Sequence, residues 1–420
     1  MKVLIINTSE RTGGAAVAAS RLAEALTNNG VSARMLVMHK QTKAHSTTQA
    51  GGWLQNQWNF VWERVVIWLC NGLSRSNLWK VSIANTGQDI TRLPEFQEAD
   101  VVHLHWINQG MLSLGSIGKV LQSGKPVVWT MHDMWEATAI CHHSYGCERF
   151  ATECGHCWLL RFPRNNDLSR RTFQRKQRMW DSAAPGCLHF VAVSEWLAQR
   201  SRQSALIGRF PITVIPNAIS LSQFKIIDRT DARTTLHVTE PYIVAFGAAR
   251  IDDPIKGFDY LVGALQRLVD SGRFGKDQIR LLLFGTVRQP ELLGQLPVAY
   301  THMGYIDDEH QLSLIYSAAN VTVSSSLYET FGQTLIEAQA CGSVPVSFEG
   351  SGQADIIDHK VSGYLAERLS AESLADGIAW GLLADIPAQQ LRRSVARRYS
   401  ESIVAHRYIQ LYNSLAGGQA

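Results

Sequence analysis

Asn320-Val-Thr-Val-Ser-Ser-Ser326, running on through Leu-Tyr into Glu329-Thr-Phe-Gly-Gln-Thr-Leu-Ile-Glu337, spells a strand, a loop and the start of a helix. The β-branched run predicts a buried strand, and the apolar spacing after Gly332 predicts a helix. Glu329 then lies in the loop and Glu337 inside the helix, about two turns along it. A helix N-terminus offers free N–H groups to phosphate, and a carboxylate suits sugar hydroxyls because it only accepts hydrogen bonds. The pair describes a pocket for a phosphate-bearing sugar. Ordinary capping acids on a solvated helix start would give the same local pattern.

The same strand–helix rhythm extends in both directions. Upstream of the quoted stretch, Tyr242–Phe246 and Ile279–Phe284 read as strands, with Tyr260–Asp270 and His310–Ala319 as helices; Val344–Ser347 follows as a strand. The first half repeats the rhythm, with strands at Val3–Asn7, Ser32–Met38, Asp100–His105, Pro126–Thr130, Val191–Ser194 and Thr213–Pro216, and a helix over Ala16–Asn29. Such alternation predicts an α/β chain with helix-covered parallel sheets. The polar stretch after Pro216-Asn-Ala-Ile219 reads as an interdomain connection. Residues 1–217 and 218–395 are therefore expected as two doubly wound domains, with 396–420 as a C-terminal helix crossing back to the first domain. Facing domains of this kind bind ligands in a cleft, outside the carboxyl ends of the strands.

Composition narrows the class. With 420 residues, 45% apolar and 18% charged, the chain has the make-up of a globular protein with more than one core. A net charge of +4 implies neither nucleic acid nor membrane by itself. Met1-Lys-Val-Leu-Ile-Ile-Asn7 is too short for a signal segment, and no run of 18 apolar residues could cross a bilayer. A cytoplasmic location is the expectation.

Three further segments carry chemistry. Arg11-Thr-Gly-Gly-Ala-Ala16 joins the first strand to the first helix, and Gly13 and Gly14 let the backbone approach a ligand at the helix start. It is not a dinucleotide fingerprint, because the spacing and the distal acid are missing. Arg250 and Lys256-Gly257 follow the strand Tyr242–Phe246, and two cations on one loop can grip a diphosphate. Asp252-Asp253 between them resembles a metal motif but sits in the wrong strand context. Thr130-Met-His132-Asp133 ends a strand, so His132 points at a ligand site with Asp133 beside it to fix its tautomer.

Seven cysteines divide into two sets. Cys70, Cys187 and Cys341 read as isolated small hydrophobes. Cys141, Cys147, Cys154 and Cys157 cluster, and four thiols so close in a cytosolic chain fit a structural zinc. His142, His143 or His156 could substitute for one ligand, and disulfides or free thiols are the alternatives.

Taken together, Gly13-Gly14, His132-Asp133, Arg250…Lys256-Gly257 and Glu329-x7-Glu337 resemble the retaining glycosyltransferases of family 4, which have the GT-B fold. The likeness runs over nearly the whole chain and is strongest in residues 247–352, where Cys341-Gly-Ser-Val-Pro-Val346 also matches. Trp129-Thr-Met-His-Asp-Met-Trp135, leading into the cysteines, is similar to a bacterial WcaC-like subgroup that builds colanic acid, other exopolysaccharide, capsule or O-antigen repeats. The resemblance implies a UDP- or GDP-sugar donor, no catalytic metal, and a saccharide or polyprenyl-diphosphate-linked acceptor. It assigns the donor diphosphate to Arg250 and Lys256, the ribose to Glu337, and the donor sugar to Glu329 and His132. Asp133 joins His132 and Glu329 as a catalytic candidate. Gly13 and Gly14 approach the diphosphate or acceptor, Gly285, Tyr305 and Ile306 line the base pocket, and Phe331 and Gly332 complete the donor set. The longer gap between Arg250 and Lys256, with Asp252-Asp253-Pro254 inside it, departs from the family pattern.

Trp53–Leu69 is rich in tryptophan, with Leu54, Trp58, Val61, Trp62, Val65, Trp68 and Leu69 on one helical arc and Asn56, Asn59 and Glu63 outside it. Residues 161–178 hold seven basic residues against one acid. The two suit docking on the anionic inner leaflet. Packing of the arc on the first domain's core is the reading preferred from sequence, since tryptophan buries equally well against protein. Two other activities use parts of the same pattern. A sugar-nucleotide epimerase shares the donor pocket, and a zinc-stabilised carbohydrate-binding protein needs no catalysis.

Overall fold

The computed structural model describes residues 1–417, which form two compact units. One comprises residues 1–216 with the segment from Val404 on, and the other is Asn217–Ile403.

The first unit is a seven-stranded parallel sheet in the order β3-β2-β1-β4-β5-β6-β7. Its strands are β1 (Lys2–Ser9), β2 (Ser32–His39), β3 (Thr47–Gln49), β4 (Val101–Leu104), β5 (Val127–Met131), β6 (Leu188–Ala192) and β7 (Ile212–Val214). β4 and β5 are buried along their whole length, because helices cover both faces of a parallel sheet. From Val404 on, the helix Glu401–Gly417 belongs to this unit, and its Tyr408 and Tyr412 hydroxyls pair with Thr130 Oγ1 at 2.8 Å and His103 Nδ1 at 2.7 Å.

The second unit is a six-stranded parallel sheet in the order β10-β9-β8-β11-β12-β13. Its strands are β8 (Tyr242–Arg250), β9 (Ile279–Thr286), β10 (Ala299–His302), β11 (Val321–Ser324), β12 (Val344–Phe348) and β13 (Tyr364–Ala366). Val244, Phe246, Leu281, Leu283, Val321, Val323 and Val346 form its core with Leu261, Leu265 and Ile378.

Both sheets are parallel and helix-covered, as the alternation predicts. In each, the chain builds outward on one side and then returns to the other. The order therefore reverses between β1 and β4, and again between β8 and β11. Loops leaving two adjacent strands in opposite directions open a crevice at the strands' carboxyl ends, where open α/β sheets take ligands.

One expectation is overturned. The helix Trp53–Cys70 does not pack its tryptophan arc on the core: Leu54, Trp58, Val61, Trp62 and Leu69 are exposed, while Asn56, Asn59, Glu63 and Arg64 are buried. The reason lies in what the helix covers. Residues 78–88 are almost devoid of regular structure, so their backbone groups need side-chain partners. Glu63 Oε1 accepts from the Ile83 and Ala84 N–H groups at 2.8 and 2.9 Å, and Arg64 donates to the Leu78 and Val81 carbonyls at 2.6 and 3.1 Å. Asn56 donates to the carbonyls of Met38 and Ala50 and accepts from Gln88. The polar face is held inward by hydrogen bonds, and the apolar face is left outside. Among the described residues no helix is long and apolar enough to cross a membrane.

Candidate active site

In the second unit, the reversal point between β8 and β11 gathers the residues singled out from sequence. The loop after β8 carries Lys256 and Gly257, and the loop after β11 carries Glu329. The two loops are stitched together. Ser325 Oγ donates to the Lys256 and Gly257 carbonyls at 3.0 and 2.8 Å, and Leu327 N–H donates to the Ile255 carbonyl at 2.8 Å. Gly257 is required there: its φ is +64°, and a Cβ would stand 2.1 Å from the Ser325 carbonyl oxygen. This close approach brings Lys256 Nζ within 2.8 Å of Glu329 Oε2. Burial alone would lower the Lys256 ammonium, but Glu329, with Asp253 behind it, raises it above its usual range.

Arg250 ends β8 and pairs with Asp253 Oδ2 at 2.6 Å, with Asp252 Oδ1 at 3.7 Å. The extra acids in this loop thus hold the guanidinium. Asp252 also accepts from the Arg288 and Gln289 N–H groups at 3.0 and 3.1 Å, which ties the loops after β8 and β9 together.

Gly332 precedes the helix Gln333–Ala340 with φ +107°, a left-handed conformation open to glycine. Glu337 is buried inside that helix and accepts from Tyr316 Oη at 3.3 Å, a partner the sequence reading passed over. Phe331 is buried edge-on against Tyr399 at 5.7 Å between ring centroids, so its side chain belongs to the packing beneath the loop. Gly285 is the penultimate residue of β9, where a Cβ would meet the Ala248 carbonyl oxygen at 1.8 Å, and its N–H donates to the Gly304 carbonyl. Tyr305 and Ile306 follow on the same rim, with Tyr305 exposed.

In the first unit, Gly13 caps the helix Gly14–Asn28 with φ +92° and nothing within reach of a Cβ. Beside it, Glu10 accepts from the Gln41 and Thr42 N–H groups at 2.6 and 2.7 Å, which fixes the loop wall.

His132 follows β5 and is partly exposed. Its ring partner is His105, just past β4: His105 Nδ1 and His132 Nε2 are 2.8 Å apart. The sequence reading gave the tautomer-fixing role to Asp133. In the structure, Asp133 Oδ2 accepts from Trp106 Nε1 at 2.8 Å and His142 Nδ1 at 2.7 Å, and Oδ1 accepts from the Trp135 N–H at 2.7 Å. Asp133 therefore braces the loops and reaches His132 as a nearby charge. Burial pushes His132 down to about 4, against which Asp133 works. Despite its own burial, Asp133 is held down at about 2 by His142.

The His105–His132 contact has a direction. Among the described residues, His105 Nε2 is buried with no partner. A buried N–H left unpaired costs more than an unpaired lone pair on a neutral ring. On that ground the favoured arrangement has the His105 proton on Nδ1, donated to His132 Nε2, with the His132 proton on Nδ1. Two histidines on alternate positions at a strand end, His103-x-His105, were the available sequence signal.

The sequence pattern of Glycosyltransferase Family 4 matches residues 12–223, just over half of the 420 residues. The chain belongs to glycosyltransferase family 4. The pattern of Glycosyl transferases group 1 matches residues 228–398, so the family's two domain patterns fall on the two units. A phosphatidyl-myo-inositol mannosyltransferase of Mycobacterium tuberculosis (strain CDC 1551 / Oshkosh) is 29% identical over 240 residues, 55% of this chain and 60% of that protein. The match thus spans about 60% of the length of the curated relatives of this kind. The colanic acid biosynthesis glycosyl transferase WcaC of Escherichia coli (strain K12) is 26% identical over 330 residues, 75% of each chain. Among solved structures, Anabaena HepE in complex with UDP and glucose aligns over 99% of this chain and 100% of that one, with TM-score 0.63 and 15% identity. Sucrose-phosphate synthase of Thermosynechococcus elongatus aligns over 99% of both, with TM-score 0.66 and 20% identity. These likenesses establish the GT-B fold.

In the family 4 chain the four clustered cysteines begin at Cys141, next to the His142 that bonds Asp133. Cys141, Cys147, Cys154 and Cys157 line one small cavity with Phe150 and Trp158, and none is in a disulfide. Burial pushes the Cys141 and Cys154 thiols up to about 12 and Cys157 to about 11. Among the described residues no group of three or more His, Cys, Asp or Glu is arranged to hold a metal ion.

Proposed function

We propose that this chain is a retaining glycosyltransferase that moves a sugar from a UDP- or GDP-sugar to a saccharide acceptor carried on a polyprenyl diphosphate. Its place is the inner face of the cytoplasmic membrane, in the WcaC-like assembly of exopolysaccharide, capsule or O-antigen repeats. The observation that carries this reading is the Lys256–Glu329 pair at 2.8 Å, set at the sheet reversal point beside the start of the helix Gln333–Ala340. A cation next to an acceptor-only carboxylate suits a sugar attached to a diphosphate.

Each residue has a task in this reading. Lys256 and Arg250 take the charge that grows on the departing diphosphate, assisted by N–H groups at the helix start, and this supplies the stabilisation otherwise given by a divalent ion. Glu329 holds donor-sugar hydroxyls, and Glu337 the ribose. Gly13, Gly14 and His132 meet the transferred sugar and its acceptor, while Gly285, Tyr305 and Ile306 flank the base. The acceptor oxygen bonds to the sugar's anomeric carbon on the face the diphosphate leaves. The bond to the diphosphate oxygen breaks, and the acceptor proton passes to that oxygen.

The four cysteines are our proposed structural zinc ligands, supported by their convergence on one cavity.

The test is acceptor-dependent release of nucleoside diphosphate, with product mass on lipid-linked saccharides. Release that needs no acceptor would point to the epimerase. Binding of sugar nucleotides without turnover, across a broad acceptor screen, would point to a carbohydrate-binding protein.

A further inference from the structure

The helix Trp53–Cys70 is built with its polarity reversed, and that reversal calls for an outside partner. Exposed Leu54, Trp58, Val61, Trp62 and Leu69 recur at helical spacing along one side, with Trp58 and Trp62 stacked at 5.7 Å between ring centroids. The exposure is large: 76% for Leu54, 63% for Trp58 and 41% for Trp62. Rotation about the helix axis cannot hide this stripe. It would drag Glu63 and Arg64 out of the bonds that satisfy residues 78–84 and leave those backbone groups unpaired.

The surroundings indicate what covers the stripe. At the helix C-terminal end, Arg161 N–H donates to Asn71 Oδ1 at 2.7 Å and its guanidinium to the Gly72 carbonyl at 3.1 Å. The exposed Phe162 ring lies over Gly72, flanked by the Arg161 and Arg164 guanidinium groups. Exposed Trp79, Lys80 and Arg75 follow the same helix end. Within residues 53–80 the one acid is Glu63, which is buried, and residues 158–166 contain none. Every exposed charge in these segments is positive. Tryptophans along a surface helix, with arginine and lysine at its edge, match the boundary between lipid headgroups and acyl chains of an anionic bilayer.

We infer that the helix Trp53–Cys70, with Phe162 and the arginines at its C-terminal end, is a docking surface that lies in the headgroup region of an anionic membrane. This deepens the lipid-linked acceptor reading and rests on it for its purpose. Its physical test is independent of that reading.

The experiment is flotation of the full chain with vesicles of phosphatidylcholine alone or mixed with phosphatidylglycerol, followed by tryptophan emission. The parent chain should float with the anionic vesicles, shift its emission to the blue, and bind at least tenfold more weakly to the neutral ones. Trp58→Ser with Trp62→Ser should lose most of the flotation and the shift. Arg161→Gln with Arg164→Gln should lose the preference for anionic lipid and keep weak binding. Both variants should transfer sugar to a soluble acceptor as the parent does. A parent chain that stays unbound on anionic vesicles overturns the inference, as does a tryptophan variant that floats equally well. A lipid-free dimer broken by Trp58→Ser and Trp62→Ser would assign the stripe to a second copy and also overturn it. Absence of any transfer, with docking intact, would fail the proposed function and leave the docking standing.

Discussion

Lys256 Nζ lies 2.8 Å from Glu329 Oε2, and the contact exists because two loops from adjacent parallel strands are pressed together at Gly257 and Ser325. A donor diphosphate must draw the ammonium toward itself while the carboxylate turns to sugar hydroxyls. Lys256→Ala should lower kcat/KM by about 10²–10³, the scale of losing one charge-stabilising donor. Glu329→Gln should cost less in affinity for the nucleoside diphosphate product than in transfer. Titration calorimetry with that product, alongside turnover, checks both; an unchanged affinity in Lys256→Ala would remove lysine from the diphosphate.

Gly257 itself is a second test. Gly257→Ala places a methyl against the Ser325 carbonyl at a φ of +64°, and should cost about 1–3 kcal/mol of stability. Denaturant unfolding measures it. Turnover should fall with it, since the same contact sets the Lys256–Glu329 distance.

His105 touches His132 and is fully buried, so it acts as a positioning residue. His105→Phe fills the space without donating a proton, and kcat should fall by about 10- to 100-fold through loss of orientation. The readout that separates this from simple damage is the nitrogen-15 spectrum: His132 should carry its proton on Nδ1 in the parent and exchange between tautomers in the variant. A single unchanged His132 tautomer in the variant would refute the assignment.

Acid should destabilise the first unit early. Burial pushes His132 down to about 4 and His103 to about 3, from ordinary values near 6.5, and His105 well down as well. An unfolded histidine takes up its proton as pH drops through 6.5, whereas folded His132 resists until near 4 and folded His103 until near 3. Stability is therefore complete above about pH 6.5 and is lost as pH falls toward 4, by on the order of 3 to 4 kcal/mol for His132 alone at about 1.4 kcal/mol per pKa unit. A Tm measured from pH 7.5 to 4.5 should decline with it. A flat profile would mean these rings are not buried neutral.

Metal content tests the cysteine cluster. Purified under reducing conditions, the chain should carry about one zinc per chain, and Cys154→Ser with Cys157→Ser should lose it. The parent thiols at Cys141, Cys147, Cys154 and Cys157 should react with a thiol reagent only after a chelator is added. Absence of zinc with four readily titrated thiols would leave the cluster as a reduced packing motif.

Much of this molecule is readable one segment at a time. Alternating β-branched runs and amphipathic stretches imply two parallel sheets, because period-2 and period-3.6 patterns are local properties of the chain. The positions of Lys256 and Glu329 in loops after strands, and of Glu337 in the helix that follows, come from the same local order. What escapes a linear reading are choices made by distant partners. His105 becomes the mate of His132 only because β4 and β5 are neighbours in the sheet. The helix Trp53–Cys70 has one apolar and one polar side in any reading of its sequence. Which side faces inward was decided by the irregular residues 78–88, whose backbone groups bond to Glu63 and Arg64 and whose Gln88 side chain donates to Asn56. Periodicity gives the axis of such a helix, and only the packed tertiary structure supplies its direction.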